Sequence, residues 1–155
     1  MVEPLKPFPI QLRRTSIREI TLQTEGFPRV GEASTQNIEL STGVSAYDPT
    51  ARTLHVFLTA VTSMKEPGTP YSLRVSIVGE FHVPDEAHLT FPLEKITQWA
   101  ERNGVAVLMP FLRELLFSVT QRAGLPVVLI PLVEVNAYKV APPEPLAAPA
   151  KALPS

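Results

Sequence analysis

Three successive stretches of this chain alternate apolar and polar residues with a period of two, and after them the period becomes helical. A period of two places alternate side chains on opposite faces of a strand, so each stretch must bury one face against something else. In 37–47, Ile38, Leu40, Val44 and Ala46 point one way and Glu39, Ser41 and Ser45 the other. In 52–63, Leu54, Val56, Leu58 and Ala60 alternate with Thr53, His55, Phe57 and Thr59. In 71–83, Leu73, Val75, Ile77 and Phe81 oppose Ser72, Arg74, Ser76, Glu80 and His82. The connections Asp48-Pro49-Thr50-Ala51 and Lys65-Glu66-Pro67-Gly68-Thr69-Pro70 are turn sequences, so the three strands are predicted to form an antiparallel meander. Segment 8–22 alternates less cleanly and supplies a candidate fourth strand. Segment 25–36, punctuated by Gly and Pro, is long for a hairpin and suits a crossover.

The second half reads as helix. Leu93, Ile96 and Trp99 have helical spacing after Pro92, and Asn103-Gly104 is expected to stop that helix. Leu108, Phe111, Leu112, Leu115, Leu116 and Val119 then form a broad apolar stripe, with Arg113, Glu114, Gln121 and Arg122 on the other side. Pro110 within the stripe removes a backbone donor, so the helix is expected either to kink or to begin there. Gly124 has the character of a left-handed residue closing the helix. Residues 126–135 are apolar and suit an extended segment. Beyond Tyr138 the composition turns to Ala, Pro and Lys, and Pro142, Pro143 and Pro145 forbid a sustained helix. The reading is one domain over 1–138 and a disordered tail over 139–155. Strands first and helices after argue for an α+β fold, a four-stranded antiparallel sheet with a long helix.

Composition narrows the function classes. A formal net charge of −1, with scattered Lys and Arg, gives no field to gather nucleic acid or anionic lipid. The absence of cysteine removes disulfides, thiolate nucleophiles and the usual structural zinc sites. No signal-like leader opens the chain and no continuous run of about 18 apolar residues occurs, so a cytoplasmic protein without a membrane span is expected. HExxH, GxSxG, phosphate-cradling and paired-carboxylate motifs are missing. The two aspartates, Asp48 and Asp85, sit beside prolines. One metal site is conceivable: His55 and His82 on neighbouring strands, with Glu80 as a third ligand. The competing reading is solvent-facing strand histidines. No enzyme and no cofactor are expected. The surplus is apolar: Phe57, Val61 and Val78 on the face assigned outward, and nearly all of 127–133. Such a surplus serves either a second core layer or subunit interface, or a surface that takes other polypeptides.

The run Val107-Leu108-Met109-Pro110-Phe111-Leu112-Arg113-Glu114, followed by Gly124-Leu125-Pro126 and an apolar stretch to Val135-Asn136, resembles the SecB family of export chaperones. Phe8-Pro9-Ile10-Gln11 is similar to that family's opening strand, and Gly79-Glu80-Phe81 to its Gly-x-Phe strand. The resemblance covers about residues 8 to 138. It implies a homotetramer built as a dimer of dimers, with Leu108, Phe111, Leu112, Leu115, Leu116 and Val119 buried where helices lie between two sheets. It implies holding of unfolded polypeptides without ATP, in apolar grooves lined by Phe27, Val30, Leu125, Val127, Leu129, Ile130 and Leu132. In the family, hand-over to the SecA motor uses acidic residues on the sheet face and a C-terminal helix. Here Glu19 keeps one acid, Gln23 stands where another is expected, and Arg74 reverses a third. The Pro/Ala tail replaces the helix. Three outcomes stay open: an export chaperone, a chaperone dedicated to one client such as an antitoxin, and a structural oligomer that shares the fold.

Overall fold

The computed structural model describes residues 10–24, 38–62, 71–84, 92–127, 130 and 139–140. Four strands, β1 (Gln11–Thr24), β2 (Ile38–Val44), β3 (Thr53–Thr62) and β4 (Tyr71–His82), precede the helical half. The last three form the antiparallel meander read from the alternation, with β2 on β3 and β3 on β4. β1 pairs antiparallel with β4, so the order is β1-β4-β3-β2 and the link between β1 and β2 is a crossover. A two-residue strand, β5 (Lys139–Val140), adds in parallel to β2 at Ser41 and Thr42. The domain therefore extends past the expected boundary at 138, because the outer edge of β2 offers unpaired backbone groups. The remainder of the expected tail lies outside the described residues.

Where alternation was clean, the structure follows it. Leu54, Val56, Leu58 and Ala60 of β3 and Leu73, Val75, Ile77 and Phe81 of β4 are all buried. β1 alternates poorly for a local reason. Its register against β4 slips between Leu12 and Arg14 and again between Ile17 and Glu19. Each bulge adds one residue, so Leu12, Thr15, Ile17, Ile20 and Leu22 still meet Phe81, Gly79, Ile77, Val75 and Leu73 on one face. The extra residues are Arg13 and Arg18. The β2–β3 turn forms around Asp48, whose carboxylate accepts the N–H groups of Thr50 and Ala51 at 2.8 and 3.1 Å.

The helical half differs from the sequence expectation. Asn103-Gly104 does not stop it. α1 (Leu93–Trp99) continues through a π-helical turn (Ala100–Gly104) into α2 (Val105–Arg122). Gly104 is buried against β3, where a Cβ would lie 2.9 Å from a Val56 methyl. Close packing on the sheet thus holds helical a pair that by propensity should end it. Pro110 sits inside α2, one turn past its start. The C-terminus closes as read: Gly124 adopts φ +68°, its N–H donates to the Gln121 carbonyl, and Leu125 N–H donates to that of Thr120. This is the Schellman pairing.

The continuous helix, Leu93–Arg122, is 30 residues long, with a mean hydropathy of 1.2 in its most apolar window. By length and composition it is therefore able to cross a bilayer, which continuous-run counting does not reveal. Its apolar side instead covers the sheet: Ile96, Ala100, Val105, Leu108, Leu112 and Leu116 are buried. Trp99 meets Phe81 edge-on, with ring centroids 5.4 Å apart. Leu108 lies directly over Gly79, where a Cβ would come within 2.6 Å of its methyl.

Gly79→Ala should therefore destabilise the fold by about 1–3 kcal/mol through overpacking. Leu108→Ala should cost about 2–5 kcal/mol through the cavity it leaves. In urea titrations the double variant should cost clearly less than the sum, because the small side chain at 108 makes room for the methyl at 79. Simple additivity would show that the two positions do not share one contact.

Candidate functional site

Two segments expected to line a groove begin at one point of the sheet. Tyr71 opens β4 and pairs with Thr24, the last residue of β1. Its side chain is fully buried, and its hydroxyl donates to the carbonyl oxygen of Pro126 at 2.9 Å. The link leaving β1 and the segment leaving the helix thus both start beside Tyr71. They also end near each other: the first enters β2 at Ile38, and the second reaches β5 beside Ser41. Of the residues expected to line the groove, Phe27, Val30, Leu129 and Leu132 lie outside the described residues. Val127 is 43% exposed and free for contact. Leu125 and Ile130 are corrected, being 7% and 6% exposed within the core cluster. The helix ending draws Leu125 inward, so it supports the segment and presents no surface.

The stripe assigned to an oligomer interface divides. Leu108, Leu112 and Leu116 are fully buried under the chain's own sheet, so no second copy can reach them. A stripe at this spacing packs first on whatever covers it, and here the sheet does so. Leu115 and Val119 are half-buried at the rim of the same core. Phe111 alone of the six is exposed, at 43%. It borders a shallow depression of about 250 Å³ that Ile17, Ile77 and Leu115 also line. Ile17 and Ile20 are 57% and 42% exposed, although they lie on the core-facing side of β1. The helix covers β3 and β4 and leaves the β1 margin bare. Reading the sequence missed Ile17 and Ile20 because the bulges broke the period that would have placed them. It also missed Val107 and Phe117, on the outward side of α2.

The other face of the sheet carries two arginine–carboxylate contacts. Arg74 donates to Glu19 at 2.9 Å, and the Thr21 hydroxyl donates to the same carboxylate at 3.1 Å. The Arg74 hydrogen bond, above all, holds the Glu19 carboxyl below its ordinary pKa. Gln23 pairs with Ser72 and adds no charge. Arg14 donates to Glu80 at 2.9 Å, and the His55 imidazole lies 3.6 Å from the same oxygen. Burial opposes ionisation of Glu80, but the Arg14 hydrogen bond and charge, with His55, outweigh it and lower the pKa. Arg18 lies over the Phe57 ring, 4.9 Å from its centroid, and screens the largest apolar group of this face.

The metal hypothesis meets a guanidinium here. A cation on Glu80 would have to displace Arg14, and His82 lies opposite Thr53, two pairs along from His55 and Glu80. Among the described residues no three His, Cys, Asp or Glu side chains converge as a metal site. A carboxyl with a lowered folded-state pKa stabilises above its ordinary value and loses that contribution as pH falls through the lowered one. Between about pH 5 and 3, Glu80→Gln should therefore lose less stability than the parent protein, as followed by acid titration of circular dichroism. Identical acid curves would mean that the Arg14–Glu80 contact contributes nothing in solution.

No protein-family model matches the chain. Over 67 residues it is 37% identical to the uncharacterized protein MJ0357 of Methanocaldococcus jannaschii, a match covering 43% of this chain and 40% of that protein. The matched stretch thus spans about two fifths of the length of that relative. Among solved structures it is similar to the Mycobacterium tuberculosis SecB-like chaperone Rv1957, in complex with a ChAD peptide from the HigA1 antitoxin. The two superpose with a TM-score of 0.66 at 18% identity, covering 81% of this chain and 91% of the other. An antiparallel sheet with its first strand at the far edge, a crossover and a long helix on one face together make the fold of this chain SecB-like.

Proposed function

We propose that this chain is an ATP-independent holdase that binds unfolded segments of other proteins through apolar surface and releases them unmodified. The observation that carries this reading is the common origin at Tyr71 of the two segments expected to line the groove, on a fold shared with a chaperone bound to a peptide. Apolar contact suits the task because it is indifferent to sequence. Each large side chain removed from water is worth about 1.5–3 kcal/mol, so a few contacts give useful and reversible affinity. Several such surfaces in one assembly would add avidity. The exposed margin formed by Ile17, Ile20 and Phe111 is the surface we assign to self-association, with the homotetramer as the assembly. The reaction class is binding, and the setting we propose is the cytoplasm.

The sheet face bears on the client. Glu19 and Arg74 neutralise each other and Gln23 is uncharged, so at these positions the face lacks the acidic field that hand-over to SecA implies. We therefore favour a chaperone dedicated to a partner protein's exposed apolar segment, such as that of an antitoxin, over a general export chaperone. A second reading rests on the same exposed margin: a structural oligomer that uses its apolar surface only on itself.

Reduced, carboxymethylated α-lactalbumin, which stays unfolded, separates the two readings. Micromolar binding of this probe, no binding of native α-lactalbumin and no nucleotide requirement are expected of the holdase. Val127→Glu should weaken capture about ten-fold or more, since it replaces one apolar contact by a charge that resists desolvation. Phe111→Glu should lower the assembly mass in light scattering while the isolated subunit stays folded. An intact oligomer that ignores the unfolded probe would favour the structural reading.

A further inference from the structure

We infer that Tyr71 is the positioning residue of the client-binding surface, acting through the backbone of Pro126; this rests on the holdase reading. A tyrosine at the start of a sheet strand, with its ring fully buried, needs a partner for its hydroxyl. That partner is a backbone carbonyl 55 residues away, in the segment that leaves the helix. Leu125 spends its N–H on closing the helix, and Pro126 has none, so neither can join a strand ladder through its amide. Gly124, with φ +68°, turns the chain away from the helix axis. Between Leu125, drawn into the core, and Val127, left exposed, the Pro126 carbonyl is where the sheet grips the segment.

The backbone of Tyr71 is engaged at the same time with Thr24, where β1 ends. One residue therefore stands both where β1 ends and where the apolar segment after the helix begins. A client touching Val127 meets a side chain whose position is fixed one residue away. If Pro126 were free, each contact would also have to order the segment, and that cost would appear as faster release.

The test compares Tyr71→Phe with Val44→Ala in the full chain. Val44 pairs with Val56 near the opposite end of the sheet, so its truncation lowers stability without touching this joint. Dissociation of reduced, carboxymethylated α-lactalbumin is followed by interferometry, and amide exchange is read at Gly124 and Leu125, whose N–H groups close the helix. The off-rate for Tyr71→Phe should rise about two- to ten-fold, the range of one lost hydrogen bond, with faster exchange at both amides. Val44→Ala should leave off-rate and exchange at those amides unchanged, even where its Tm falls as far. Equal off-rates for Tyr71→Phe and the parent, or an equal rise in Val44→Ala, overturns the positioning role while leaving the holdase reading in place. If the parent captures no probe at all, the holdase reading falls. Faster exchange in Tyr71→Phe would then mark Tyr71 as a structural joint only.

Discussion

A helix can lie this close to the sheet only because β4 carries no side chain at position 79. Leu108 occupies the space a Cβ would take there, and Gly104 gives the same freedom from the helix side against Val56. These two close approaches fix the height of the helix above β3 and β4. Leu112 and Leu116 follow Leu108 along the same line and are fully enclosed. Phe81 turns its ring to the edge of Trp99 at the N-terminal end. Because interiors are packed nearly as densely as crystals, a helix seated at one point is seated along its length.

From that seating follows what is left uncovered. A single helix centred on β3 and β4 does not reach β1, so Ile17 and Ile20 stay exposed although they lie on the core-facing side. Phe111, facing the same margin, is left with them. The opposite face is closed to such use by charge: Glu19 with Arg74, Glu80 with Arg14, and Arg18 over Phe57. The molecule thus has one polar side that carries these contacts and one apolar side incompletely covered. Exposed apolar area of this kind has a purpose in most proteins that carry it.

How far this was legible in the residues depends on the range of the interaction. The alternation in β2, β3 and β4 located those strands to within a few residues, because the period of a strand is a property of its own backbone. Gly124 was legible for the same reason. The Asn103-Gly104 stop was wrong because its outcome depends on Val56, 48 residues earlier in the chain. Leu125 and Ile130 looked like binding surface because apolar composition is the same in a groove and in a core. Only the turn at Gly124 and the enclosure beneath it separate the two uses.

By itself the sequence determined the α+β class, the meander, the helical stripe and the lack of catalytic motifs, all of which come from local period and residue chemistry. The resemblance carried by Pro110-Phe111-Leu112-Arg113-Glu114 and its downstream Gly-Leu-Pro added the SecB-like arrangement. Tertiary structure alone decided which apolar residues remain available. Burial is a relation between segments: the contact of Leu108 with Gly79, the two bulges of β1 and the Tyr71 grip on Pro126 join positions 29 to 69 residues apart in the chain. No window of sequence contains both partners of any of them.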